Sequence, residues 1–174
     1  TSLHRHYRRK LAEAYLIQPR DSNATGFNED VPLRLSELTS DKAPYHLINC
    51  AFNVPASKNS SMQGRLTDFF LFSPAFSGSP LLGYSPTTDW ERFDPHLDVG
   101  TAMAISGAAA SPQMGTGTMA RARFWLALFN VRLGYWTRQP HGRPWLPGRP
   151  RVAYLLKEMR GSMDERSPFI NLSD

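Results

Sequence analysis

The sequence predicts an α/β fold on three observations. Two short apolar runs, "YHLINCAFNV" and "DFFLFSP", have the length and the β-branched and aromatic content of buried strands. Two longer segments, "SLHRHYRRKLAEAYLI" and "TMARARFWLALFNVRLGYW", repeat apolar residues at helical spacing. With 174 residues, 41% of them apolar and 11% aromatic, the chain fits one domain that buries its own core or a large part of one.

Taken in order, the first helix has Ser2 as its N-cap and puts Leu3, Tyr7, Leu11, Ala14 and Tyr15 on one stripe, turning Arg5, Arg8 and Arg9 outward. Residues 18–43 are polar, with Pro19, Gly26 and Pro32, and predict a connection with a short helix near "RLSELTS". The strand "YHLINCAFNV" closes at Pro55, and "DFFLFSP" follows a polar loop, as in a hairpin or neighbouring strands. The stretch "AFSGSPLLGYSPTTDWERFDPHLDV" is dense in Pro, Gly and Ser. It predicts a path over the surface, anchored by Tyr84, Trp90 and Phe93.

Small residues then fill almost every position from Gly100 to Ser111, which predicts a helix able to approach neighbouring backbones closely before Pro112 ends it. The next helix carries Trp125, Leu128, Phe129, Leu133 and Trp136 on its inner stripe. "TRQPHGRPWLPGRPR" predicts a basic loop, "VAYLLKEMRG" a short helix ending at Gly161, and "PFINLSD" a short buried strand. Such a strand normally feeds a further turn and helix, so the chain reads as one incomplete domain over residues 1–174.

Charge and composition narrow the function classes. Residues 1–20 carry five Arg or Lys against Glu13, and residues 117–160 carry nine against Glu158, while residues 21–98 carry five against ten acids. A positive face toward anionic lipid or nucleic acid is one outcome of that split, and a solvated surface is the other. No helix-turn-helix, aromatic-basic sheet motif or zinc module accompanies it, which argues against nucleic acid. The single cysteine, Cys50, lies in an apolar run and reads as a small buried hydrophobe. No apolar stretch reaches the roughly 18–20 residues of a membrane span. The five histidines include no pair at metal spacing with a nearby carboxylate apart from His4 and His6, which point to different sides of a helix, so no metal site is expected.

Ser106 is the first candidate nucleophile. A nucleophile elbow places Gly two residues before and two after the serine, whereas here Ala104 and Ala108 occupy those positions. No β-branched strand leads into it either, so a helix-packing serine is the simpler expectation.

The succession "LINCAFNV", "FFLFSPAFSGSPLLGY", "VGTAMAISGAAASPQMG", "LALFNVRLGYW" and "INLSD" resembles the large bacterial patatin-like phospholipase proteins, over about residues 3–174. The alanine-glycine segment and "LFNVRLG" are its most specific parts. The resemblance implies a patatin-like domain, a mixed sheet flanked by helices, in which "AISGAAASP" is a core helix, so that Ser106 is structural. It also implies that the aspartate of "LSD", Asp174, is the acid of a serine-aspartate dyad that hydrolyses lipid acyl esters. That family's glycine-rich oxyanion loop and Gly-x-Ser-x-Gly nucleophile precede the matching region, and neither pattern occurs here. The chain alone is therefore expected to be inactive. A non-catalytic lipid- or protein-binding module on the same scaffold, and a hydrolase using Ser106, remain as alternatives. Finally, Arg138, Arg143, Arg149 and Arg151 beside Trp136 and Trp145 combine cations with interfacial aromatics, as contact with an anionic membrane surface requires. A solvated loop is the plain alternative.

Overall fold

The computed structural model describes residues 3–16, 18–19, 27–28, 33–38, 41, 44–62, 64–107, 135–140 and 164–173. They combine three α-helices with a six-stranded sheet. Helix α1 is Leu3–Tyr15, α2 is Thr87–Phe93 and α3 is Val99–Ser106. A two-residue ladder pairs β1, Gln18–Pro19, with β2, Phe27–Asn28. The large sheet contains β3 (Ile48–Asn53), β4 (Thr67–Phe72), β5 (Phe76–Ser79), β6 (Gly83–Pro86), β7 (Tyr135–Arg138) and β8 (Phe169–Ser173). Its order is β6-β5-β4-β3-β8-β7.

Every pairing in that sheet is antiparallel, where a mixed sheet was expected. From β4 to β6 the cause is local: the connections 73–75 and 80–82 are too short to return the chain other than antiparallel, whereas parallel neighbours need a long crossover. The two apolar runs do pair as anticipated, from Ile48 opposite Phe72 to Asn53 opposite Thr67.

Strand alternation sends Cys50, Phe52, Phe70, Phe72, Ile170 and Leu172 to one face, where all are buried. They form a single core with Leu35, Val54, Met62, Trp90, Leu97, Val99, Ala102 and Ile105. Trp90 meets Phe70 edge-on with ring centroids 5.2 Å apart, and its Nε1 donates to the Ser77 carbonyl at 2.9 Å. Cys50 is a thiol 4% exposed, the buried hydrophobe anticipated.

Residues 76–99 depart from the expected surface path by forming the β5–β6 hairpin, α2 and the approach to α3. Here the Ser and Gly residues that read as loop work inside the structure. Ser77 Oγ and Thr87 Oγ1 lie 2.9 Å apart, and Thr87 Oγ1 donates to the Ser73 carbonyl at 2.6 Å. Gly78 has φ 155°, and a Cβ there would stand 2.2 Å from the Gly83 carbonyl oxygen, so only glycine lets the two strands meet. Of the three proposed aromatic anchors only Trp90 is buried, whereas Tyr84 is 50% and Phe93 40% exposed.

The first helix forms where its periodicity placed it, but rotated. Tyr15 is 70% exposed, while His4 is buried and Arg8 turns inward. Its packing row is His4, Arg8, Ala12 and Leu16, because α3 offers small residues: a Cβ on Gly100 would lie 3.5 Å from Leu16 and 3.7 Å from Ala12. Tyr7 Oη donates to the Gly107 carbonyl at 3.0 Å. Arg8 Nε donates to Asp98 Oδ1 at 3.2 Å and to Thr101 Oγ1 at 3.0 Å, and its Nη2 pairs with Asp98 Oδ2. Asp98 is also the N-cap of α3, accepting from the Thr101 amide at 2.7 Å. On the far side of α1, a hydrogen bond from Lys10, then the nearby charges of Arg9 and His6, hold the Glu13 carboxyl below its ordinary value.

Asp98→Ala removes the cap and the arginine's partner together, so it is expected to cost about 2 kcal/mol in equilibrium urea unfolding. Asp98→Asn, which keeps the cap, should cost about half as much.

The stretch around Trp136 is corrected. Trp136 and Tyr135 belong to strand β7 with Thr137 and Arg138, not to the end of a helix or the start of a loop. β7 pairs with β8, so strand partners override the helical period there. The expected helix over 118–134, the loop from 141 and the helix "VAYLLKEMRG" lie outside the described residues. No described helix is long and apolar enough to cross a membrane.

Candidate functional site

Strand β8 occupies the sheet interior, with β3 on one side and β7 on the other. Its Ile170 and Leu172 face the core, so Asn171 and Ser173 face away from it. Registration then sets two rows on this second face. One runs Thr67, Asn53, Asn171, Trp136, and the other runs Phe69, Ala51, Ser173.

At the centre of these rows lies a buried polar cluster. Asn53, Asn171 and Ser173 are 2%, 1% and 2% exposed. Asn53 Nδ2 donates to Asn171 Oδ1 at 2.8 Å and to Ser173 Oγ at 2.9 Å. Asn171 Nδ2 is buried without a hydrogen-bond partner among the described residues. Buried amides almost always find partners, which makes this one a point of chemical potential in an otherwise closed network.

A second cluster joins the helices to the sheet edge. Asp94, buried at the end of α2, accepts from Tyr135 Oη at 2.9 Å and from the His96 amide at 3.3 Å. The His4 ring lies 5.1 Å from the Tyr135 ring. Nearby in α2, Glu91 accepts from Ser36 N at 3.2 Å and Ser36 Oγ at 2.7 Å, with Arg34 at 3.9 Å. These carboxylates are held by hydrogen bonds that tie loop, helix and strand together, which accounts for their burial in structural terms.

The sequence candidates distribute as follows. Asp174, the proposed acid, lies outside the described residues and follows directly on the buried cluster in sequence. Ser106 is half-buried in the last turn of α3, and no described histidine or carboxylate hydrogen-bonds its hydroxyl. Its helix packs closely, as the run of small residues predicts. Arg138 sits over the Phe93 ring, 5.4 Å from its centroid, so a contact within the protein already engages one of the four basic residues assigned to a membrane surface. Arg143, Trp145, Arg149 and Arg151 lie outside the described residues. Among those described, no group of three His, Cys, Asp or Glu is arranged to hold a metal ion.

Sequence reading missed Asn53, Asn171 and Ser173 as a unit. Asn within an apolar strand was the available signal, since it is disfavoured there unless its amide is engaged. Against protein-family models, curated proteins and solved structures, the chain matches none.

Proposed function

We propose that the chain forms part of a serine-aspartate lipid acyl hydrolase built on a patatin-like α/β scaffold, with Asp174 as the general base. The supporting observation is the position of β8. An interior strand ends in buried, hydrogen-bonded Asn171 and Ser173 immediately before Asp174, and a base needs a desolvated, ordered support of this kind.

In this reading the serine comes from polypeptide outside these 174 residues, which contain no Gly-x-Ser-x-Gly. The Asp174 carboxylate accepts the serine proton as Oγ attacks the ester carbonyl carbon. The resulting oxyanion is held by backbone N–H donors of a glycine-rich loop. Collapse breaks the ester C–O bond, and the alcohol leaves with the proton. Water, activated by the same carboxylate, then releases the fatty acid and restores the serine. The reaction requires no metal or organic cofactor. In this reading Arg143, Trp145, Arg149 and Arg151 bring the enzyme to an anionic lipid surface.

A serine-directed fluorophosphonate probe tests the assignment. Labelling is expected when the chain is joined to the polypeptide that precedes it in its gene, and not for the 174 residues alone. Labelling of the 174 residues that vanishes in Ser106→Ala would transfer the nucleophile to Ser106. A second reading, a non-catalytic lipid-binding module, draws on the exposed Phe69, Phe76 and Tyr84 of β4–β6. It would be favoured by vesicle binding without labelling of the longer polypeptide.

A further inference from the structure

The sheet buries one face in the core and exposes aromatic side chains on the other, from β4 to β6. On that outer face register sets Asn49, Leu71, Gly78 and Tyr84 in one row, and alternation places Phe69 and Phe76 on the same side. Phe69, Phe76 and Tyr84 are 66%, 55% and 50% exposed, and Leu47, just ahead of β3, is 62% exposed. The solvated side of an antiparallel sheet is normally polar, so this one departs from the pattern.

Charge is arranged around the face in one sense. The only charged side chain in β3 to β6 is Asp68, which lies opposite Phe52 and so belongs to the core-facing set. The connection 54–66, where β3 leads into β4, carries Lys58 and Arg65, both exposed, and no acid. The connections 73–75 and 80–82 carry no charge. An uncharged aromatic surface flanked by cations complements a membrane boundary, where acyl chains lie beneath anionic headgroups.

Size separates a lipid from a protein partner. The three aromatics and Leu47 expose on the order of 400 Å², counting about 200 Å² for a whole aromatic side chain. A stable interface between two proteins takes about 800 Å² from each, roughly twice as much. A bilayer sets no such threshold, because apolar burial and attraction to anionic lipid add together.

We infer that the outer face of β4 to β6 lies against an anionic lipid surface, with Phe69, Phe76 and Tyr84 entering between the headgroups and Lys58 and Arg65 meeting lipid phosphates. The choice of a lipid partner rests in part on the lipid hydrolase reading, while the aromatic face and its charges stand independently of it.

The test is flotation of the protein with vesicles of phosphatidylcholine and phosphatidylserine in equal amounts, to which it is expected to bind. Phe69→Ser and Phe76→Ser, at exposed positions, should each weaken binding about 3-fold or more, and the double variant about 10-fold or more. Lys58→Gln and Arg65→Gln should each weaken it about 5-fold. Tyr15→Ser, on α1 and 70% exposed, provides the comparison and should stay within about twofold of the unmodified protein. Circular dichroism checks that each variant folds. An absence of vesicle binding, or an undiminished affinity in the folded double variant, would overturn the inference. So would self-association of the unmodified protein in sedimentation that the double variant abolishes, since the face would then belong to a second copy. Fluorophosphonate labelling fails separately. Vesicle binding through this face without labelling of the longer polypeptide sinks only the hydrolase, and labelling without vesicle binding sinks only the lipid contact.

Discussion

With asparagine at position 174, ester hydrolysis by the polypeptide extended to its serine is expected to fall between about a hundredfold and ten-thousandfold, the range over which general-base catalysis contributes. The substitution keeps size and shape but removes the group proposed to accept the serine proton. Folding should be unchanged, and so should binding of substrate. The loss should therefore appear in kcat with little movement in KM, and the rate of fluorophosphonate labelling should fall with it. Asp41→Asn, at an exposed carboxylate, provides the comparison and should leave the rate within about twofold. A full rate in Asp174→Asn would end the dyad assignment, because no other residue is asked to take the proton.

Trp90→Ala is expected to be the most damaging single change to folding among the described residues. Trp90 is 1% exposed, packs edge-on against Phe70 and holds the Ser77 carbonyl through its Nε1. Truncation opens a cavity between α2 and the sheet, at about 3–5 kcal/mol for a buried tryptophan. Against a typical total of about 5–15 kcal/mol, that leaves a protein near its stability threshold. Urea unfolding followed by circular dichroism should show the midpoint falling sharply. Trp90→Phe, which keeps most of the packing and loses one hydrogen bond, should recover more than half of the loss. A change below about 1 kcal/mol in Trp90→Ala would mean that the α2–sheet contact contributes little to the core.

What was legible in the sequence was the part in which side-chain pattern alone decides. The runs around Cys50 and Phe70 became β3 and β4, "PFINLS" became β8, and the first helix formed on its period. The face of that helix was not legible, because Arg8 has a partner in Asp98, 90 residues away, and composition cannot reveal a half-buried cation's partner. The β5–β6 hairpin was missed for a related reason. Its Ser and Gly residues look like solvated loop until the hydroxyls are paired and Gly78 is seen against Gly83. Trp136 matched a helical stripe and yet joined a strand, since pairing with β8 outweighs local period. In the candidate site the weight placed on Asp174 came from resemblance, whereas the asparagines preceding it emerged only once β3 and β8 were side by side.

The placement of β8 between β3 and β7 has a bearing on biosynthesis. Asn53 and Ser173 are hydrogen-bonded across 120 residues of sequence, so the middle of the sheet closes only once β8 has followed β3 to β7 out of the ribosome. Until then β3 to β6 form a half-sheet whose open side is β3, an unpaired template for intermolecular strand addition. Such late, long-range closure slows folding and prolongs exposure of that edge. Nascent chains of this protein should depend on a chaperone during translation, and release before residue 173 should leave material that aggregates through β3.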